Sequence, residues 1–223
     1  MTSPMNWFLD FDDTLASGAA TWALTDAIPR LVEANRLPYD ERRFQTVFTV
    51  GQQRANQEQD LAPLLHDFFQ SMGWPRDLEM QFFNSLRQNY HPELFDDTLV
   101  FLARLRDSGQ YSYVLSNNPR SPDLVTKLGI GEYIHQVLTP ERCPGTQGKP
   151  HPSLWEYVVS HYPDIVSRES VIVGDDPWSD GAFAGKCGLP CWLVDRMNRF
   201  GAWDGTLPYR RVRSLLEITV AAS

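Results

Sequence analysis

The apolar positions along the chain follow two rhythms. Near the N-terminus, Trp7-Phe8-Leu9 form a short unbroken apolar run, the signature of a buried strand. From there to about residue 90 the spacing is helical. Leu61, Leu64, Leu65, Phe68, Phe69 and Met72 fall on one helical face, and Gly73 closes the segment. Before it, Ile28, Leu31 and Val32 carry an apolar stripe in a region interrupted by Pro29 and Pro38. Residues 76–90 offer another helix, with Leu78, Phe82, Phe83 and Leu86 on one face. No strand alternation occurs between 17 and 90.

After His91-Pro92 the rhythm changes. A helix over 97–106 ending at Gly109 is followed by a strand over 111–115. Helices over 122–128, 153–161 and 180–187 then alternate with strands over 133–138, 171–173 and 191–194. Such alternation predicts βαβ units on a parallel sheet, an α/β fold of the Rossmann-like, doubly wound kind. The first strand belongs to the same sheet. The expected organisation is therefore a core of residues 1–16 plus 91–223, with an inserted helical domain over 17–90. Residues 210–215 add an edge strand or a short helix.

Composition agrees with a core domain plus a smaller insertion: 223 residues, 42% hydrophobic and 22% charged. The net charge is −8, and no Lys/Arg-rich run appears, which argues against a nucleic-acid partner. Cys143, Cys187 and Cys191 make an odd count without the His or Cys partners of a zinc site, so reduced thiols are expected. No apolar run reaches membrane-spanning length, and no basic-then-apolar leader is evident. A cytosolic (cytoplasmic) protein is expected.

Four polar clusters sit where strands are expected to end. In open α/β sheets, ligands bind beyond those ends. The first is Asp10, Asp12 and Asp13, three carboxylates within four residues. Crowded carboxylates raise each other's pKa unless a cation sits between them, so a divalent metal and a reacting Asp are the economical explanation. An Asp there can attack phosphorus, and a carboxylate two residues on can move protons. The same acids also suit a surface turn capping a helix. The second cluster, Ser116-Asn117-Asn118, offers a hydroxyl and a backbone amide for a phosphate oxygen, or an ordinary turn. In the third, Gly148 to Pro152, Lys149 can neutralise paired carboxylates; in isolation it reads as a solvated loop lysine. The fourth runs from strand residues Val171 to Val173 into Gly174-Asp175-Asp176 and on to Asp180. Hard oxygen ligands from two strand ends suit Mg²⁺. The alternative there is a helix cap at Asp180 with spectator acids.

Taken together and in order, D-x-D-x-T-L, a strand ending in Ser, a Lys, and strand-Gly-Asp-Asp-x-x-x-Asp resemble the haloacid dehalogenase-like (HAD) hydrolase superfamily. The helical insertion just after the first motif looks like the type-1 cap of its subfamily I. The resemblance implies that Asp10 is the nucleophile and a metal ligand. It implies that Asp12 is the general acid/base and ligates metal through its backbone carbonyl. Ser116 and the Asn117 amide would hold the phosphoryl group, and Lys149 would stabilise its charge and that of Asp10. Asp175 would ligate Mg²⁺. Asp176 would be an alternative ligand or stand behind the ligands, and Asp180 would orient the loop and Lys149.

The namesake dehalogenases lack the acid at the position of Asp12, so its presence favours phosphoryl transfer. The implied activity is Mg²⁺-dependent hydrolysis of a small phosphorylated metabolite. A sugar-phosphate mutase of the same fold, or a non-catalytic phosphate binder, is the alternative. A mutase needs basic residues in the cap, for which Arg42, Arg43 and Arg54 are candidates, though solvated helix faces explain them as well. Receiver domains use similar groups, but their motif order differs. The polar break Gly51-Gln52-Gln53-Arg54 is expected to be a loop facing substrate, or else a surface helix turn. Trp178 is expected either beside the site or in the core.

Overall fold

Six parallel strands form one sheet in the computed structural model, which describes residues 3–58, 60, 62–200 and 209–220. The strands are β1 (Asn6–Leu9), β2 (Tyr111–Leu115), β3 (Gln136–Leu138), β4 (Ser170–Gly174), β5 (Cys191–Val194) and β6 (Tyr209–Val212). Their spatial order is β3-β2-β1-β4-β5-β6. This is a doubly wound α/β sheet of Rossmann type. Its order reverses at β1 and β4, where Leu9 stands opposite Val173. A crevice beyond the carboxyl ends of these two strands is the standard ligand position in such sheets.

Both faces of the sheet are covered, which explains the unbroken apolar runs. Trp7 and Leu9 of β1 point to one face and pack with Phe101, Leu102 and Leu105 of the helix Thr98–Asp107 and with Leu124 and Val125 of Ser121–Lys127. Phe8 points to the other face. It packs with Leu154 and Val158 of Ser153–His161 and with Phe183 of Ala182–Cys187. The period-two alternation of β1 thus joins two cores into one layered domain.

The chain divides into two compact units at Ser17/Gly18 and at Pro92/Glu93. The second unit, Gly18–Pro92, is helical, and no strand lies among its described residues. Its core gathers Phe44, Phe48, Phe68, Phe69, Trp74 and Phe82, and the ring of Phe68 meets that of Phe44 edge-on at 5.6 Å.

Several local expectations need correcting. Gly51 to Arg54 form no loop. They lie inside the helix Glu41–Glu58, where Gln52 is buried although polar. Pro29 does not break its segment; the chain runs helically from Ala19 to Asn35, and Pro29 follows a π-type turn at Ala23–Ala27, where the hydrogen-bond spacing changes. The helix expected over 61–72 is split into a 3₁₀ turn, Ala62–Leu64, and His66–Met72, because Leu65 leaves helical geometry. Leu61 itself lies outside the described residues. The extended run expected over 133–138 begins only at Gln136, after the 3₁₀ turn Gly131–Tyr133. Residues 210–215 split between β6 and a 3₁₀ turn at Leu215–Glu217. Cys143, Cys187 and Cys191 are free thiols. Among the described residues no helix is long and apolar enough to cross a membrane.

Candidate active site

The first carboxylate is positioned by the end of β1. The Asp10 N–H donates to the Val173 carbonyl at 2.8 Å, so the residue stays in register with β4 for one step beyond the strand. The chain then turns sharply. Leu15 and Ala16 both donate to the Phe11 carbonyl, and Asp13 takes a left-handed conformation with φ of 58°. This places Asp12 beside the end of β2. Its Oδ2 accepts from Asn118 Nδ2 at 2.9 Å.

Lys149 is the centre of charge. Its side chain is 2% exposed, and its Nζ lies 2.8 Å from Asp10 Oδ1 and 2.5 Å from Asp180 Oδ1. Asn117 fixes the lysine backbone from both sides: its Oδ1 accepts from the Lys149 N–H and its Nδ2 donates to the Lys149 carbonyl. The neighbouring Gly148 is required by this latch, because a Cβ there would lie 2.7 Å from Asn117 Oδ1. Ser116, buried at the end of β2, accepts from the Asn118 N–H at 3.0 Å.

Beyond β4, the fully buried Asp180 organises the loop. Its Oδ2 accepts from the backbone N–H groups of Asp175 and Asp176, each at 3.1 Å, while Oδ1 meets Lys149. The close approach leaves no room for a side chain at Gly174, whose Cβ would lie 2.1 Å from Asp180 Cγ. The helix cap expected at Asp180 belongs to Asp176, whose Oδ1 accepts from Trp178 and Ser179 N–H groups at the start of a π-type turn, Pro177–Gly181. That turn displaces the start of the helix expected over 180–187 to Ala182. Trp178 packs edge-on against Phe200 at 5.4 Å.

The structure therefore brings Asp10, Asp12, Ser116, Asn117, Lys149, Asp175, Asp176 and Asp180 to the carboxyl ends of neighbouring strands. Carboxylate oxygens of Asp10, Asp175 and Asp180 all lie within 4.8 Å of one another. Asp12 stands outside that trio, on Asn118. Two roles escaped the sequence reading, that of Asn118 in the second cluster and that of Arg199. Asn118 orients Asp12. Arg199 places Nη2 2.7 Å from Asp175 Oδ2, its side chain 5% exposed.

Burial dominates the electrostatics. It pushes the Asp10 carboxyl up to about 8, against the pull of Lys149. It pushes Asp175 well above the usual carboxylate range, against the pull of Arg199. Asp12 rises to about 6, again through burial, with Asn118 holding it back. Lys149 is also buried, but Asp10 and Asp180 hold its proton and raise its pKa. Acids pushed up in this way are short of positive charge despite two cationic neighbours. The donors are hard oxygens from two strand ends, so the residues fit a small divalent cation such as Mg²⁺.

A model of the haloacid dehalogenase-like hydrolases matches residues 7–188. No curated protein matches by sequence. Among solved structures, the fold is similar to that of YfnB from Bacillus subtilis, described as a putative HAD-hydrolase bound to magnesium. The two are 20% identical with a TM-score of 0.64, covering 97% of each chain. It is also similar to a HAD phosphatase from Thermococcus onnurineus, at 21% identity and a TM-score of 0.55, covering 96% of this chain and 95% of that one. A putative beta-phosphoglucomutase from Thermotoga maritima is 14% identical with a TM-score of 0.60, covering 96% of this chain and 95% of that one.

Proposed function

Since the chain belongs to the haloacid dehalogenase-like hydrolases, we propose that it is a Mg²⁺-dependent phosphomonoester hydrolase acting on a small phosphorylated metabolite. The observation that carries this reading is the pairing of two differently tuned carboxylates: Asp10 on Lys149 and Asp12 on Asn118.

One Asp10 oxygen attacks phosphorus, and the bond from phosphorus to the ester oxygen breaks. Asp12 in its acid form gives its proton to the departing alkoxide, leaving an aspartyl phosphate on Asp10. A carboxyl raised to about 6 keeps a protonated fraction near neutral pH, as this half-reaction requires. Asp12, now ionised, takes a proton from the attacking water, whose oxygen joins phosphorus. Inorganic phosphate leaves, and the Asp10 carboxylate returns. Ser116 and the Asn117 backbone amide hold the phosphoryl oxygens, and Lys149 offsets the charge that gathers on them. Asp10, Asp175 and the Asp12 backbone carbonyl would hold Mg²⁺, which supplies positive charge to the phosphoryl group and keeps Asp10 ionised. Asp180, with both oxygens engaged, orients Lys149 and the Asp175 loop.

We read the helical unit as the cap that selects substrate. Within it Arg54 pairs with Glu58 and Asp67, and Arg43 bonds the Ser71 carbonyl. Arg43 and Arg54 are thus engaged in exposed contacts within the helical unit, as residues of solvated helix faces are. The test is an aryl phosphate assay with Mg²⁺, followed by a phosphometabolite panel. Release of phosphate that stops on chelation and returns with Mg²⁺ is expected. Turnover indifferent to chelator, or conversion of hexose 1-phosphate to hexose 6-phosphate without phosphate release, would overturn the reading.

A further inference from the structure

Arg199 does not belong to the four motif clusters, yet it reaches the centre of the site. It lies in the turn after β5. There the Asp195 carboxylate accepts from the backbone N–H groups of Arg199 at 2.7 Å and of Phe200 at 3.0 Å. Asn198, with φ of 54°, closes the turn. Phe200 is pinned by the Trp178 ring, and its carbonyl accepts from Arg211. The turn is thus fixed by its own contacts, and the long side chain of Arg199 is directed into the acids. Its Nη2 meets Asp175 Oδ2 at 2.7 Å. Burial opposes the charge on this guanidinium, while Asp175, Asp13 and Asp176 sustain it.

A guanidinium and a divalent cation compete for the same carboxylate when both approach it in a buried space. We propose that Arg199 is a built-in competitor for the divalent cation at Asp175, so that metal loading requires its guanidinium to leave that carboxylate. This rests on the reading of Asp175 as a metal ligand. Asp13 and Asp176 remain as acidic neighbours for the displaced side chain, which lowers the cost of moving it. The pair would neutralise Asp175 in the metal-free protein and weaken metal binding in the loaded one, favouring exchange over permanent occupancy.

The test is calorimetric titration of MgCl₂ into the wild-type protein and Arg199→Gln, with thermal melting of both. Arg199→Gln should bind Mg²⁺ about tenfold more tightly, a change of about 1.4 kcal/mol. It should also melt lower without metal and gain more from Mg²⁺ than the wild type does. A second measurement needs no variant: labelling of Arg199 by phenylglyoxal, read by peptide mass in the wild-type protein. Labelling should increase when Mg²⁺ is added. Equal or weaker Mg²⁺ binding by Arg199→Gln would overturn the proposal while leaving the metal site intact, as would labelling that stays constant or falls with Mg²⁺. Absence of Mg²⁺ binding in both proteins would overturn the metal reading and this proposal with it.

Discussion

Lys149 and Asp10 are 139 positions apart in the sequence and 2.8 Å apart in the fold, with the lysine 2% exposed. The ammonium is shared with Asp180, so one cation ties the end of β1 to the loop after β4. Lys149→Met keeps much of the stem and removes the charge. It should lower kcat roughly 10²- to 10³-fold, the scale for losing one donor to developing charge. It should also destabilise the fold by about 3–5 kcal/mol, because two buried carboxylates lose their partner. Steady-state kinetics and chemical denaturation check the two effects separately.

Stability should depend on pH in a direction opposite to that of most acid-rich proteins. The Asp10 carboxyl is raised from its ordinary 3.8 to about 8 by burial. Between these values the folded state binds a proton that the unfolded state has lost. Asp10 therefore favours folding least above about pH 8, and its contribution to metal-free stability falls as pH rises from about 4 to 8. Thermal melting with chelator present should give a lower Tm at pH 8 than at pH 6. Asp10→Asn should flatten that decline, and Mg²⁺ should offset it with release of protons.

Asn118 should act through Asp12. Its Nδ2 hydrogen bond favours the ionised carboxylate and holds the pKa near 6 against burial. Asn118→Leu removes that restraint, so the Asp12 pKa should rise. The pH–rate profile is the check: both the acidic limb set by water activation and the optimum should move to higher pH. A fall in rate at every pH with no shift would indicate damage to the loop alone.

Gly174 has no space for a methyl group, since a Cβ would lie 2.1 Å from Asp180 Cγ. Gly174→Ala should cost about 1–3 kcal/mol or more through overpacking, and displace Asp180 from Lys149 and from the Asp175 and Asp176 amides. Denaturation midpoint and kcat should fall together. Gly185→Ala, inside the helix Ala182–Cys187 where added atoms meet nothing within 4 Å, is the control that should leave kcat unchanged and raise the midpoint slightly.

The sheet was legible because each of its central strands is an apolar run that stops at a polar cluster. Trp7 to Leu9 and Val171 to Val173 are read from the sequence without any partner; Asp10 follows the first directly and Asp175 follows the second after Gly174. What escaped were contacts that composition and spacing do not encode. Asn118 meets Asp12 across 106 positions, and Arg199 meets Asp175 from a turn with no apolar rhythm of its own. Gly51 to Arg54 misled for the reverse reason. Its polar residues suggest a break, yet tertiary packing buries Gln52 within a continuous helix. Position 176 shows a similar limit: two adjacent acids look alike in sequence, and the backbone N–H groups of Trp178 and Ser179 select Asp176 as the cap.

The central claim is that Asp10 carries the phosphoryl group, and rapid acid quenching tests it most directly. Asp12→Asn, which should form the aspartyl phosphate faster than it hydrolyses it, would be mixed with Mg²⁺ and an activated aryl phosphate. The quenched protein would then be mapped by peptide mass spectrometry. A near-stoichiometric phosphoryl group on Asp10, absent from Asp10→Asn, is the predicted result. Phosphate release with no phosphoryl group on Asp10 at any quench time, or its appearance on another residue, would contradict the account.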